Sequence, residues 1–175
     1  MELSCCLWGL TANQSHQTAL AQVAELGFRL IDVQPQTVEP AQVSAAGLRV
    51  SCVALSHGAP EDCSLDAEDA SSVARALIHV YEALDYASAL GATTGYLVPR
   101  QGGGGASLSR YARALALVAD RAADRGIRLG VEHFPGTALP SVAATLGFLR
   151  EVDHPNLALL FDIGHAQMSA EYPAA

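Results

Sequence analysis

Acidic and imidazole side chains stand where two hydrophobic runs of this sequence end. Glu132 and His133 follow the apolar run IRLGV, and Asp162 and His165 follow LALLF. A carboxylate at the end of a buried strand is costly unless it is paired or bound to a cation. Hard oxygen donors together with imidazoles suit Mn²⁺, Mg²⁺ or Co²⁺, and also Zn²⁺ where nitrogen ligands are more numerous. We therefore predict a functional role for Glu132 and Asp162.

Other polar or aromatic residues follow the remaining hydrophobic runs, namely Trp8, Asp32, Gln34, His57 and Arg100. In parallel α/β folds, functional residues collect where strands end and the next loop begins. The Trp8 ring can stack on the C–H face of a sugar, and Arg100 can hold a carboxylate or a phosphate. Each also has an ordinary alternative, because a lone Asp or His at a strand end is commonly a helix cap or a loop residue and Trp8 can pack in the core.

The elements that must position these residues are separated by glycine. A helical pattern gives way to a β-rich run at Gly27, Gly47, Gly91 and Gly126. Glycine just past a helix adopts the left-handed C′ conformation at little cost. Four such junctions predict alternating β and α units, and hence a parallel sheet.

The predicted strands are nearly continuous in apolar residues, as expected of parallel strands buried on both faces. They lie near residues 3–8, 28–33, 48–55, 94–98, 127–132 and 157–161. Helical spacing predicts helices near 14–26, 66–90, 107–125 and 139–151. Ser107 or Ser109 is the predicted N-cap of the third of these helices.

Composition limits the function classes. The chain has 175 residues, of which 50% are hydrophobic and 16% charged, so we predict a single compact domain over residues 1–175. A net charge of −8 gives no clustered positive charge for nucleic acid or an anionic membrane. All ten basic residues are arginine. Without lysine, a Schiff-base enzyme and a P-loop nucleotide binder are both excluded.

The location and redox state follow from what the sequence lacks. We identify no signal peptide and no apolar run near the ~20 residues of a membrane span, so a cytoplasmic protein is predicted. Cys5, Cys6, Cys52 and Cys63 show no CxxC pair, which predicts free thiols. The run QGGGG at 101–105 lacks the lysine and the spacing of a phosphate loop and is interpreted as a flexible strand-to-helix loop.

The runs GIRLGVEHF and HPNLALLFDIGHAQMS resemble the xylose-isomerase-like TIM-barrel superfamily of sugar (phosphate) isomerases and epimerases, which also includes the type IV apurinic endonucleases. The resemblance covers essentially the whole chain. Its most specific part is the D-x-G-H of Asp162 to His165 combined with Glu132 one βα unit earlier. The implied fold is an α/β (β/α)8 TIM-barrel architecture, of which this chain carries about six units.

The resemblance implies a divalent-metal site and a reaction. Glu132 and Asp162 match the metal ligands at the ends of strands five and six, and His165 matches a histidine that contacts substrate or, in the endonucleases, a second metal. The implied chemistry is proton transfer next to a carbonyl through an enediolate, with Glu132 as an acid/base carboxylate. His57, Trp8, Arg100 and His133 complete the expected substrate-binding set, and the expected substrate is a small sugar or hydroxy-keto acid.

The sequence also departs from the family pattern. The barrel's further ligands, a histidine and a second glutamate, come from strands seven and eight, so we expect a C-terminally truncated barrel in which they have no counterpart. His57 resembles an endonuclease histidine, but the second histidine expected after strand four is replaced by LVPRQGGGG. Together with the acidic charge, this argues against a nucleic-acid partner.

Three functions remain open from the sequence. The first is the metal-dependent isomerase or epimerase, which needs its site completed. The second is a non-catalytic barrel fragment that acts as a binding or oligomerising module, and the third is a metal-dependent dehydratase or lyase on the same scaffold. A homo-oligomer is predicted in either of the first two cases, because an open parallel sheet has two unpaired edges.

Overall fold

Short β-rich runs alternate with longer helices along this chain, and the alternation produces a parallel α/β architecture. The structure is a computed structural model in which residues 2–99 and 105–171 are described. Within them, six strands form one parallel sheet in the order β1-β2-β3-β4-β5-β6. The strands are β1 (Ser4–Cys6), β2 (Leu30–Val33), β3 (Arg49–Ala54), β4 (Thr94–Leu97), β5 (Arg128–Glu132) and β6 (Leu157–Leu160). The predicted parallel α/β class is confirmed.

Helices connect successive strands. They are α1 (His16–Glu25), α2 (Pro40–Ala45), α3 (Ala70–Ala89), α4 (Gly105–Ala123), α5 (Val142–Val152) and α6 (Ile163–Met168). Side chains of Ser15, Asp69 and Ser141 cap α1, α3 and α5 by accepting a backbone N–H. Each cap satisfies a donor that the first helical turn cannot pair internally.

The glycine junctions behave as predicted. Gly27, Gly47, Gly91 and Gly126 have φ values of 88°, 69°, 69° and 67°. These left-handed conformations end α1, α2, α3 and α4 and direct the chain into the next strand.

Two local predictions are wrong. β1 ends at Cys6, and residues Leu7–Gly9 form a 3₁₀ turn, so Trp8 lies on that turn instead of in a strand. Ser107 and Ser109 do not cap α4, because both lie inside it: the Ser107 hydroxyl donates to the Asp66 carboxylate, and the Ser109 hydroxyl donates to the carbonyl of Gly105 at 2.8 Å. The prediction of a flexible loop concerns residues 101–105, of which 101–104 lie outside the described part of the chain and Gly105 begins α4.

The register assigns each strand residue to one of two faces. Val53, Gly95 and Leu129 are paired across β3, β4 and β5, and their face of the sheet is buried under the helices. The opposite, inner face carries Cys52 and Thr94, which are only half-buried. Among the described residues, no helix has both the length and the apolar character to cross a membrane.

Candidate metal centre and substrate cleft

Three potential metal ligands meet at the carboxyl edge of the sheet. Glu132 ends β5 and pairs with Leu160, and Asp162 follows two residues beyond Leu160 on the neighbouring strand. His165 lies one helical turn further along the chain, in α6. One ligand atom from each of Glu132, Asp162 and His165 lies within 4.8 Å of the others. The structure thus brings together the two residues predicted as metal ligands and one predicted to bind substrate.

Glu132 is the most buried member of this cluster, with 7% of its surface exposed. Its Oε1 atom lies 3.4 Å from Nδ1 of His165. Burial raises the pKa of the Glu132 carboxyl, the charge of His165 opposes that shift, and the charge of Asp162 reinforces it. A carboxyl with a raised pKa can exchange protons closer to neutral pH than an exposed glutamate.

Asp162 has both a capping role and a free oxygen. It is the N-cap of α6, and its Oδ1 accepts the backbone N–H of His165 at 2.9 Å. No hydrogen bond to its Oδ2 occurs within the described residues, so that oxygen is available to a cation. The helix-cap alternative and the ligand prediction are therefore compatible, because they use different atoms.

The His165 ring is oriented by the two residues that follow β5. Its Nδ1 lies 3.1 Å from the carbonyl oxygen of His133, and the Phe134 ring packs at 4.3 Å between centroids. A carbonyl oxygen can only accept, so Nδ1 carries the proton and donates. In the neutral ring, Nε2 of His165 then has a free lone pair for a metal ion or a substrate hydroxyl.

His133 differs from the prediction made for it. Its side chain is fully buried, which leaves no accessible surface for the predicted contact with a substrate. Consecutive residues of a strand point to opposite faces, and this alternation is the sequence signal that could have separated His133 from Glu132.

A cleft of about 270 Å³ lies at the same edge of the sheet, above β1 to β4. Its lining consists of Trp8, Gln34, Ala54, Ser56, His57, Tyr96 and Val98. The predicted substrate-binding residues Trp8 and His57 therefore share one concave surface. An aromatic face next to a few polar groups is typical of a small-ligand site.

Tyr96 connects the cleft with the three-ligand cluster, and sequence reasoning missed it. It lines the cleft and pairs with Gly130, two residues before Glu132 on the inner face. Burial raises the pKa of the Tyr96 hydroxyl, and the Glu132 charge raises it further. Tyr96 therefore lies within electrostatic range of Glu132.

Cys6 ends β1, and its Sγ lies 3.9 Å from Oδ2 of Asp32. Burial and then the Asp32 charge are the main causes that raise the pKa of its thiol to about 11, with smaller contributions from Asp162 and Glu132. The four cysteines are free, as predicted. Among the described residues, the group whose ligand atoms lie within 4.8 Å of one another consists of Glu132, Asp162 and His165, and Cys6 is not part of it.

Asp32, another strand-end residue, does not join the cluster. Asp32 accepts hydrogen bonds from the hydroxyls of Ser4, at 2.8 Å, and Ser51, which tie it between β1 and β3. Arg100 lies outside the described residues, so its predicted substrate contact stays a prediction.

The family assignment follows from comparison with known proteins. The model of the xylose isomerase-like TIM barrel matches residues 20–175. The chain belongs to the xylose isomerase-like TIM-barrel family. In the described residues, the chain forms a six-stranded parallel sheet. Glu132 ends β5 of this sheet, and Asp162 follows β6. No curated protein sequence matches the chain significantly.

Solved structures share the fold of this xylose isomerase-like chain. D-psicose 3-epimerase in the presence of D-fructose superposes with a TM-score of 0.81 at 18% identity, covering 98% of this chain and 67% of that one. D-allulose 3-epimerase from Methylomonas sp. in complex with D-allulose gives 0.84 at 22% identity, covering 96% and 64%. AP endonuclease, family 2 from Brucella melitensis gives 0.80 at 20% identity, covering 95% and 70%. The chain thus spans about two thirds of the length of these proteins.

Proposed function

We propose that this protein is a divalent-metal-dependent isomerase or epimerase that acts on a small sugar or hydroxy-keto acid by proton transfer through an enediolate. One observation carries the proposal: Glu132, Asp162 and His165 place ligand atoms within 4.8 Å of one another. The cleft lined by Trp8 and His57 lies at the same edge of the sheet. Fold neighbours that include a D-psicose 3-epimerase and a D-allulose 3-epimerase support a sugar as the substrate class.

The donor set fits a divalent cation. Two carboxylates and one imidazole suit Mn²⁺, Co²⁺ or Zn²⁺, whereas Mg²⁺ prefers oxygen alone. Glu132, Asp162 and His165 are the residues that would hold the ion. Once bound, a divalent ion polarises a substrate carbonyl and stabilises negative charge on the neighbouring oxygens.

The residues of the chain supply the other requirements of the reaction. Glu132 has two carboxylate oxygens and a raised pKa, so it can hold or accept the proton next to the carbonyl. Trp8 offers an apolar face to the sugar ring, and His57 offers a polar group in the same cleft. Arg100 is proposed to hold a substrate carboxylate or phosphate, if the substrate carries one.

The domain, the location and the class of partner are also part of the proposal. We place this activity in a single cytoplasmic domain over residues 1–175. A net charge of −8 supports a small-molecule substrate over nucleic acid, although one fold neighbour is an AP endonuclease.

Calorimetric titration of Mn²⁺ and Co²⁺ into metal-stripped protein tests the metal centre. Asp162→Asn is the informative variant, because asparagine still caps α6 but is a much weaker ligand than a carboxylate. The matched control is Asp124→Ala, which removes an exposed carboxylate at the opposite end of β5. We expect saturable binding by the wild type and the control, and a loss of more than roughly 10-fold in affinity for Asp162→Asn. Absence of binding by the wild type, or equal binding by Asp162→Asn, would overturn the proposal.

A further inference from the structure

The His133 ring accepts a hydrogen bond from the backbone of Asp162, and this bond determines the tautomer of the ring. The backbone N–H of Asp162 lies 3.2 Å from Nε2 of the His133 ring. An amide N–H can only donate, so Nε2 must accept through its lone pair. The neutral His133 ring therefore carries its proton on Nδ1.

This bond is one of three that form a closed circuit around the proposed metal ligands. The His133 ring accepts from the Asp162 backbone, the Asp162 carboxylate accepts from the His165 backbone at 2.9 Å, and the His165 ring donates to the His133 carbonyl at 3.1 Å. The circuit joins the end of β5 to the start of α6. The three hydrogen bonds link the positions of these residues to one another.

We propose that His133 is a positioning residue for the metal centre: its ring fixes the backbone of Asp162, and with it the carboxylate of Asp162 and the ring of His165. The inference rests on the proposed function for the identity of the ligands. Because the side chain is fully buried, His133 acts through those ligands and not by touching substrate. Partners that orient metal ligands commonly affect metal affinity by roughly 10–100-fold.

Packing alone does not account for an imidazole at this position. The ring lies against Phe161, at 5.7 Å between centroids, and edge-on to His165 at 6.0 Å. Its Nδ1 is buried and has no hydrogen-bond partner within the described residues. An unpaired buried N–H lowers stability, because it has lost its hydrogen bond to water and gained none in return. A phenylalanine ring would avoid that cost, so the feature that distinguishes histidine here is its Nε2 acceptor.

The first test is made on wild-type protein without metal. Long-range ¹H–¹⁵N spectra of the histidine rings report which nitrogen carries the proton, and hydrogen exchange reports whether the Asp162 amide is protected. We expect the Nδ1–H tautomer for His133 and a protected Asp162 amide. An Nε2–H tautomer, or an amide that exchanges as freely as an exposed loop, would overturn the inference whatever the metal does.

The second test uses two variants with opposite properties. His133→Gln keeps an acceptor at the reach of Nε2, whereas His133→Phe keeps a ring and loses the acceptor. In Mn²⁺ titrations we expect affinity near the wild-type value for Gln and a loss of roughly 10–100-fold for Phe. Urea unfolding of both metal-free variants shows how much of each change is a loss of fold.

The outcomes separate this inference from the proposed function. Equal Mn²⁺ affinity in His133→Phe and wild type would overturn the positioning role. So would an equal loss of Mn²⁺ affinity in His133→Gln and His133→Phe, if that loss is in proportion to their loss of stability. If wild-type protein binds no metal, the proposed function fails, and the tautomer and amide exchange still decide whether His133 fixes Asp162. If His133→Phe does not fold, those same two measurements decide the question.

Discussion

Nδ1 of His165 lies 3.4 Å from Oε1 of Glu132 and 3.1 Å from the carbonyl oxygen of His133. The N–H at Nδ1 of His165 therefore lies near two acceptors, the Glu132 carboxylate and the His133 carbonyl. This arrangement holds one carboxylate oxygen of Glu132 toward His165. The second oxygen remains for a metal ion or for the proton of a substrate.

The first prediction concerns turnover. Glu132→Gln keeps the shape of the side chain and an acceptor for His165, but it cannot accept a proton. We expect deuterium incorporation from D₂O next to the carbonyl of D-fructose or D-allulose, followed by NMR, to fall by roughly 10²–10⁴-fold. Glu82→Gln, on an exposed position of α3, is the control. Exchange at the wild-type rate in Glu132→Gln would remove Glu132 from the proposed reaction.

The second prediction concerns stability and pH in metal-free protein. Burial raises the folded-state pKa of Glu132, so the folded state holds this proton more tightly than the unfolded state does. Ionising Glu132 then costs stability as the pH rises above its unfolded pKa of about 4.3. We expect Glu132→Gln to be more stable than wild type at neutral pH, with a difference that shrinks toward pH ~4.

Urea unfolding at several pH values measures that difference. Glu82→Gln corrects for the general effect of losing one negative charge. A Gln variant that is less stable than wild type at neutral pH would contradict the raised pKa, as would a difference that grows on acidification.

The third prediction compares two tyrosine hydroxyls. Tyr111 is buried and stacks on Phe148 at 5.5 Å, but its hydroxyl has no hydrogen-bond partner within the described residues. The Tyr86 hydroxyl donates to the Val38 carbonyl at 2.7 Å and accepts the Val38 N–H at 3.0 Å. We expect Tyr111→Phe to raise the free energy of unfolding by about 1 kcal/mol and Tyr86→Phe to lower it by about 1 kcal/mol.

Denaturant unfolding of the two tyrosine variants and the wild type decides between these signs. Both variants lose one hydroxyl, so the comparison isolates hydrogen bonding from packing. A loss of stability in Tyr111→Phe as large as that in Tyr86→Phe would show that the Tyr111 hydroxyl is paired.

The fourth prediction concerns space beside the sheet. A Cβ atom added at Gly95 would lie 2.8 Å from Cδ1 of Leu55, which is itself fully buried. Gly95→Ala should therefore destabilise the protein by about 1–3 kcal/mol through overpacking. Gly147, in α5, has no heavy atom within 4 Å of the same added Cβ, so Gly147→Ala should stabilise it by roughly 0.5–1 kcal/mol. Thermal unfolding of both variants measures the two effects, and a neutral Gly95→Ala would show that Leu55 can move aside.

The fifth prediction concerns self-association. Within the described residues, β1 and β6 each pair with a single strand. Ile163 and Met168, just beyond β6, are 63% and 72% exposed. Unpaired edges beside apolar side chains favour pairing with a second copy of the chain. We expect size-exclusion chromatography with light scattering, at two protein concentrations, to show a homo-oligomer.

Two charge substitutions localise that contact. Ile163→Glu should shift the equilibrium toward monomer, whereas Ile78→Glu, on a 57% exposed position of α3, should not. A wild-type monomer at both concentrations would contradict the prediction.

Most of the fold could be predicted because local signals agree with the global arrangement. The apolar run predicted at 48–55 forms β3 over Arg49–Ala54, and Gly47 before it has the expected left-handed conformation. Helix α6 was not predicted, because its six residues are too few to show a helical period. β1 ends early for a similar reason: a three-residue strand and a 3₁₀ turn share one apolar run.

Site residues could be predicted where they directly follow parallel strands, because the direction of the strands then determines at which edge of the sheet they lie. Glu132 and Asp162 follow adjacent parallel strands, so they must meet at one edge of the sheet. Tyr96 could not be found in this way, because it lies inside β4 and reaches the site only through its register with Gly130. The hydrogen bond of His133 to Asp162 depends on the loop geometry after β6, which residue types do not specify.

The strand order has a consequence for how this protein forms during synthesis. Every strand pairs only with strands adjacent in sequence, within the residues described. Each βα unit can therefore dock on the one that left the ribosome before it, without waiting for a distant segment. The proposed metal ligands lie at the end of β5 and at the start of α6, so the centre is assembled only after these later units have docked. Until then, the inner face and the newest strand are open to chaperones or to a second chain.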